Sequence, residues 1–213
     1  MKLSNFNLLE TLTHIIRSEK VFIMKRLLLI LILTFSFQSF SKADDIRNFE
    51  IEGMSIGDSL LDFFTKDQIN NSKSNFYKDN KYTQVEFNEI SFFNDYFGVD
   101  INYLTEDKEY IIQSISGIID YQEKKMSLCK KELDIIFKEL NGMFKSWNKK
   151  EIDTVKHIAD KSGKSFTTSG NYSSDQGFIV VSCHDYSKET GWMDHLGVNI
   201  KTINFNTWLS SAF

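Results

Sequence analysis

Between Met126 and Trp147 the apolar residues recur at one repeating interval. Met126, Cys129, Leu133, Ile136, Leu140, Met143 and Trp147 are separated alternately by three and four positions. At about 3.6 residues per turn this spacing draws one apolar stripe along a helix, with Lys130, Lys131, Asp134, Lys138 and Lys145 on the other face. Such a stripe packs on a core more often than it forms a groove for a partner, so something must cover it.

The rest of the chain supplies strands for that purpose. Tyr82–Asn88 sets Val85 and Phe87 on one face, and Tyr96–Leu104 alternates through Val99, Ile101 and Tyr103. Tyr110–Tyr121 is rich in Ile, with Gly117 as the place for a bulge. The turn Thr105–Lys108 is short enough to require an antiparallel hairpin. Lys164–Asn171, Gly177–Asp185 and His195–Ile203 read as further strands. Asn204 or Asn206 can cap a short terminal helix through Trp208 and Leu209.

Phe49–Ile69 reads as a short strand, a glycine-marked turn and a helix. Asp58 or Ser59 caps that helix, and Leu60, Leu61, Phe63 and Phe64 form its apolar side. A weaker helix is expected over Lys150–Lys161, ended by Ser162-Gly163. The expected fold class is α+β: an antiparallel β-sheet packed against a long amphipathic helix, with a short N-terminal helix. The terminal Phe213 shares parity with Ile203, Phe205 and Leu209, as in the closing strand of an outer-membrane barrel. The helical periods of Phe49–Ile69 and Ser127–Trp147 oppose a barrel, which is built from many alternating strands.

The stretch from Met24 to Asp45, MKRLLLILILTFSFQSFSKADD, has the three parts of a secretory signal. Lys25 and Arg26 are the basic start, Leu27 to Phe37 the apolar run, and Ser41-Lys42-Ala43 the small-residue cleavage site. The run is shorter than the about 20 residues a bilayer crossing needs. Three segments follow: a doubtful extension 1–23, with Met24 as the start, a signal peptide 24–43, and a single domain 44–213. The expected location is periplasmic or secreted after cleavage near Ala43, with an uncleaved inner-membrane anchor as the alternative.

Removing residues 1–43 takes six of 25 Lys+Arg and two of 29 Asp+Glu, leaving 19 basic against 27 acidic residues, a net charge of −8. Acidic chains without a basic stripe do not gain from phosphate neutralisation, so nucleic acid is not an expected partner. Proline is absent while Lys, Asn, Ile and Phe abound, which reflects codon usage in an AT-rich genome.

Cys129 and Cys183 are the only cysteines, and both fall in the exported part. An even count in an oxidising compartment predicts a disulfide. No C-x-x-C is present to support thioredoxin-like chemistry. The segment CHDYSKETGWMDHLGV holds His184, Asp185, Asp194 and His195. If Asp185 opposes Asp194 across two strands, His184 opposes His195, and Ile179, Val181 and Cys183 share a side with Leu196, Val198 and Ile200. These four residues are the candidate metal ligands, as two imidazoles and two carboxylates suit Zn or Cu. The plainer reading is two solvated histidines near a loop, and no metal or other cofactor is assigned.

Gly53 and Gly57 lack the G-K-[ST] of a phosphate loop, and no G-x-S-x-G elbow is present, so no catalytic residue is assigned. His157 falls on the weaker helix and is expected at the surface.

The phrase IEGMSIGDSLLDFF, just after the signal segment, resembles the opening of small exported proteins of unknown function from AT-rich bacteria. It is similar, more distantly, to the Gly-x-Ser/Thr helix start of small outer-membrane assembly lipoproteins, without their lipid-bearing Cys. Neither resemblance implies an activity. The expectation is an exported soluble, non-catalytic binding or cell-envelope accessory module, partnered by an envelope protein or a small ligand. The alternatives are a periplasmic enzyme, hydrolase-like or metal-dependent, using the His184/His195 region, and a membrane-anchored form.

Overall fold

The computed structural model describes residues 45–74, 76–88, 93–121 and 125–212. The expected signal segment, its Ala43 cleavage site and the doubtful extension lie outside the described residues, as does Phe213.

Eight strands among the described residues form one antiparallel sheet. They are β1 (Lys73–Ser74), β2 (Tyr82–Asn88), β3 (Gly98–Leu104), β4 (Ile112–Asp120), β5 (Asn148–Lys156), β6 (Phe166–Ser173), β7 (Gly177–Asp185) and β8 (His195–Thr202). The order across the sheet is β1-β2-β3-β4-β8-β7-β6-β5. Three α-helices among the described residues accompany it: α1 (Lys66–Asn71), α2 (Met126–Met143) and α3 (Ile203–Ala212). The result is α+β and mostly sheet.

Side-chain alternation decides which face is inside. Ile179, Val181 and Cys183 on β7, and Leu196, Val198 and Ile200 on β8, are all buried at 0–1% exposure. Each aliphatic side chain so buried contributes about 1.5–3 kcal/mol. Residues 46–69 cover the inner face over one half of the sheet, and α2 lies on β7 with β6 and β8 beside it. The buried line of α2 runs through Cys129, Leu133, Phe137 and Leu140, leaving Met143 at the rim. Phe137 enters this line because Gly170 beneath it has no side chain, and a Cβ there would come within 2.6 Å of the Phe137 ring. Tyr172 packs on the same ring at 4.9 Å and donates its hydroxyl to the Phe137 carbonyl at 2.9 Å.

Cys129 and Cys183 form a disulfide, with Cα atoms 6.0 Å apart. It ties α2 to β7 through the middle of the core.

The expected N-terminal helix is not one helix. Residues Leu60–Asp62 make a single 3₁₀ turn, and α1 begins afresh at Lys66 under a capping box of Thr65 and Gln68. The backbone leading into the turn is occupied elsewhere. The N–H groups of Gly57 and Leu60 donate to the carbonyls of Ile112 and Tyr110, and the Asp58 carbonyl accepts from Ile112, so this stretch pairs with β4 and its approach. The Gly53 and Gly57 turn needs positive φ, at 76° and 94°, which glycine adopts without strain.

The weaker helix expected over 150–161 is a strand instead. β5 is an edge strand, exposed along almost its whole length, with Ile152 alone half-buried. Ile152, Thr154 and Val155 are β-branched and favour this backbone, while ladder bonds to β6 satisfy it. The irregularity expected at Gly117 falls between Asn102 and Tyr103. Gly117 has a different use, because the Tyr96 ring occupies the space a Cβ would need, at 2.4 Å.

Candidate functional site: an aromatic and imidazole cavity on the outer sheet face

The face of the sheet turned away from α2 carries two features. Towards β2, β3 and the end of β8, it is polar. Gln84 and Glu86 on β2 face Asn102 and Asp100 on β3, and the row continues through Ser116 to Asn199. Gln84 donates to Glu86 at 2.9 Å, and the Tyr77 hydroxyl donates to Asn102 at 2.9 Å. Burial, reinforced by the neighbouring Glu86 charge, pushes the Asp100 carboxyl up to about 7. Burial likewise holds the Lys201 ammonium below its ordinary value. At this end α3 folds back over the sheet, setting Phe205 and Trp208 against Tyr82, and Trp208 Nε1 donates to Asp79 at 2.9 Å.

At the other end the strands rise into loops, and there the imidazoles gather. His184 and His195 are direct partners across β7 and β8, their rings stacked at 4.5 Å. His157, just past the end of β5, brings a third ring to 5.8 Å from His184. Tyr186 stands among them, its hydroxyl 3.4 Å from both His157 Nε2 and His184 Nδ1. Trp192, from the loop before β8, meets Tyr186 and His157 edge-on at 5.1 and 5.5 Å.

Four of these rings, His157, Tyr186, Trp192 and His195, line a cavity of about 530 Å³, with His184 behind them. Ile118, Ala159, Met193 and Phe76 complete its lining.

One hydrogen bond fixes the tautomer of His195. The Met193 carbonyl lies 2.9 Å from His195 Nδ1, so that nitrogen carries the proton and Nε2 is an acceptor. His184 Nε2 pairs with the Ser182 hydroxyl at 2.9 Å, and Nδ1 lies 3.3 Å from Thr167 Oγ1. Burial, with smaller repulsion from His195 and His157, drives the His184 ring down to about 3. Burial also lowers His195, opposed by the Met193 carbonyl and the charges of Asp194 and Asp120. Both rings are therefore neutral near pH 7. Ser182 and His184 resemble a nucleophile and its base, yet a base is most effective with a pKa near the working pH, and His184 lies far below it.

The four candidate metal ligands do not converge as a set. His184 and His195 meet, but Asp185 alternates to the opposite side of β7, paired with Phe166. Asp194 accepts the Tyr186 N–H at 2.7 Å. Among the described residues, no three His, Cys, Asp or Glu side chains are grouped to hold a metal ion. His157 is not an isolated surface residue but part of the ring cluster, a place it reaches only because β5 is a strand. Tyr186 and Trp192 carry no sequence pattern of their own. The outward residues of the β2–β3 hairpin were readable as its polar parity, though not as an Asp100–Glu86 pair.

Among the described residues, no helix is long and apolar enough to cross a membrane. Comparison with protein-family models, with curated proteins and with solved structures finds no match to this chain.

Proposed function

We propose that the protein is an exported binding module of the cell envelope, without catalytic activity, which holds a small ligand in the aromatic and imidazole cavity. The observation that carries this reading is the cavity: about 530 Å³, apolar over most of its wall, with His157, His195, Tyr186 and Trp192 as the lining residues that carry polar side-chain atoms. That size and lining are those of small-molecule sites in general. The Cys129–Cys183 disulfide is consistent with an oxidising compartment, and so with the periplasm or the exterior after cleavage near Ala43. In this reading the working domain is 44–213, and α2 is its amphipathic cover, stiffening the sheet from behind. The acidic charge speaks against nucleic acid as a partner.

A hydrolase is the rival reading, and the 2.9 Å contact of Ser182 with His184 is the observation in its favour. Against it, Ser182 is buried and the imidazole beside it is held neutral by its surroundings. The test is an NMR fragment screen on the full-length oxidised protein. Hits are expected to shift the Trp192 indole and the His195 ring. Hits that map elsewhere, or Ser182-dependent turnover of fluorogenic esters, would overturn the proposal.

A further inference from the structure

We infer that the ligand taken by this cavity is an organic ammonium ion with an apolar tail, an arylalkylamine in chemical class; the inference rests on the cavity being a ligand site. The argument starts at His195. Its Nδ1 proton is given to the Met193 carbonyl, so Nε2 presents a lone pair, and His195 lines the cavity. A ligand that completes this bond must bring a donor.

The charge distribution selects which donor. No Lys or Arg lines the cavity among the described residues, so an anion finds no counter-charge there. Carboxylates stand near His195 instead: Asp194 precedes it, and Asp120 is its partner across β4 and β8. The remaining groups facing the ring are His184, stacked at 4.5 Å, Tyr186 at 5.9 Å, and His157 behind Tyr186.

An N–H donor with positive charge is therefore favoured over a hydroxyl by two independent terms. One is the charge-assisted bond to Nε2, and the other is the attraction of aromatic rings and carboxylates for a cation. Phe76, Tyr186 and Trp192 supply the rings, and Phe76 and Trp192 are 58% and 46% exposed, open to stacking. Ile118 and Met193 offer apolar surface to a hydrocarbon tail. A sugar would need many polar partners, and this wall does not provide them.

The experiment compares two probes of one shape, 2-phenylethylamine and 2-phenylethanol, by calorimetry on the full-length oxidised protein at pH 7.5. The amine is expected to bind about tenfold more tightly or better, the ratio a charge-assisted bond gives over a neutral one. His195→Phe keeps an aromatic ring but removes the acceptor, and should cut that ratio severalfold. Trp192→Ala, in an exposed loop, should weaken both probes, and the amine more than the alcohol, because it removes one of the rings that attract the cation. Equal affinity for amine and alcohol, or a ratio unchanged in His195→Phe, overturns the ammonium assignment and leaves the binding module standing. If neither probe binds while other fragments do, the ammonium assignment alone falls. If no fragment enters the cavity, both fall.

Discussion

Replacing Asp100 by Asn should make the protein more stable at pH 8 and leave it nearly unchanged at pH 4. The native carboxyl is pushed up to about 7, chiefly by burial and then by Glu86, against an ordinary value of 3.8. The folded chain therefore keeps a proton that the unfolded chain releases, and stability falls as pH rises through that window. The gap amounts to on the order of 4 kcal/mol once both states are ionised. Asn carries no such cost, and the variant should gain about 2–4 kcal/mol above pH 7. His184 works in the opposite sense. Its folded value of about 3 lies below the ordinary 6.5, so the unfolded chain binds more protons, and stability rises with pH between those limits. In the native protein the two slopes, each about 1.4 kcal/mol per pH unit, offset each other from roughly pH 4 to 6.5. Asp100→Asn exposes the histidine slope. Urea denaturation followed by circular dichroism from pH 4 to 8 measures this as the difference between variant and wild type at each pH. A difference that stays constant across the range refutes the argument, whatever the other titrating groups contribute.

Three further outcomes follow from the geometry. The double variant Cys129→Ser, Cys183→Ser should lose about 4 kcal/mol in urea denaturation, the chain-entropy value for a loop of 54 residues; a loss below about 1 kcal/mol would show that the closed loop matters little. Glu52→Ala should cost about 2 kcal/mol, because its carboxylate accepts the N–H groups of Asn94, Asp95 and Tyr96 at 2.8–3.0 Å, and faster amide exchange at those three residues is the check. Gly170→Ala should cost about 1–3 kcal/mol by forcing the Phe137 ring off its seat, read as a lowered thermal midpoint.

The parts of this fold legible in the sequence are those with one wet and one dry side. β7 and β8 alternate cleanly, so the same register that buries Ile179 beside Ile200 sets His184 against His195. The cysteine pairing was readable because Cys129 and Cys183 each lie on an apolar parity. β5 is exposed on both faces and carries no period to read, so its Lys, Glu and Asp content passes for a helix surface. Losing β5 also loses His157, whose meeting with His184 depends on where that strand ends. The helix expected near Ser59 was misread for another reason. Its backbone groups bond to residues about 50 positions away, as the Leu60 N–H does in donating to the Tyr110 carbonyl at 3.1 Å, and local propensity holds no record of such partners. The cavity was the least legible of all, because Phe76, Ile118 and Trp192 come from three separate stretches of chain.

The open sheet ends on one side in a strand two residues long and on the other in β5, nine residues long. A free strand of that length is where one copy of a protein recruits the next. If a second copy aligned antiparallel with β5 along its full length, Ile152 would fall on the two-fold axis and Glu151 would face Asp153 twice. Like charges set opposite each other repel, and the register shift between Lys150 and Asp153 already breaks the straight run a partner would need. Glu151 and Asp153 therefore disfavour that register, so among the described residues the exposed edge of β5 carries its own obstacle to strand-on-strand pairing.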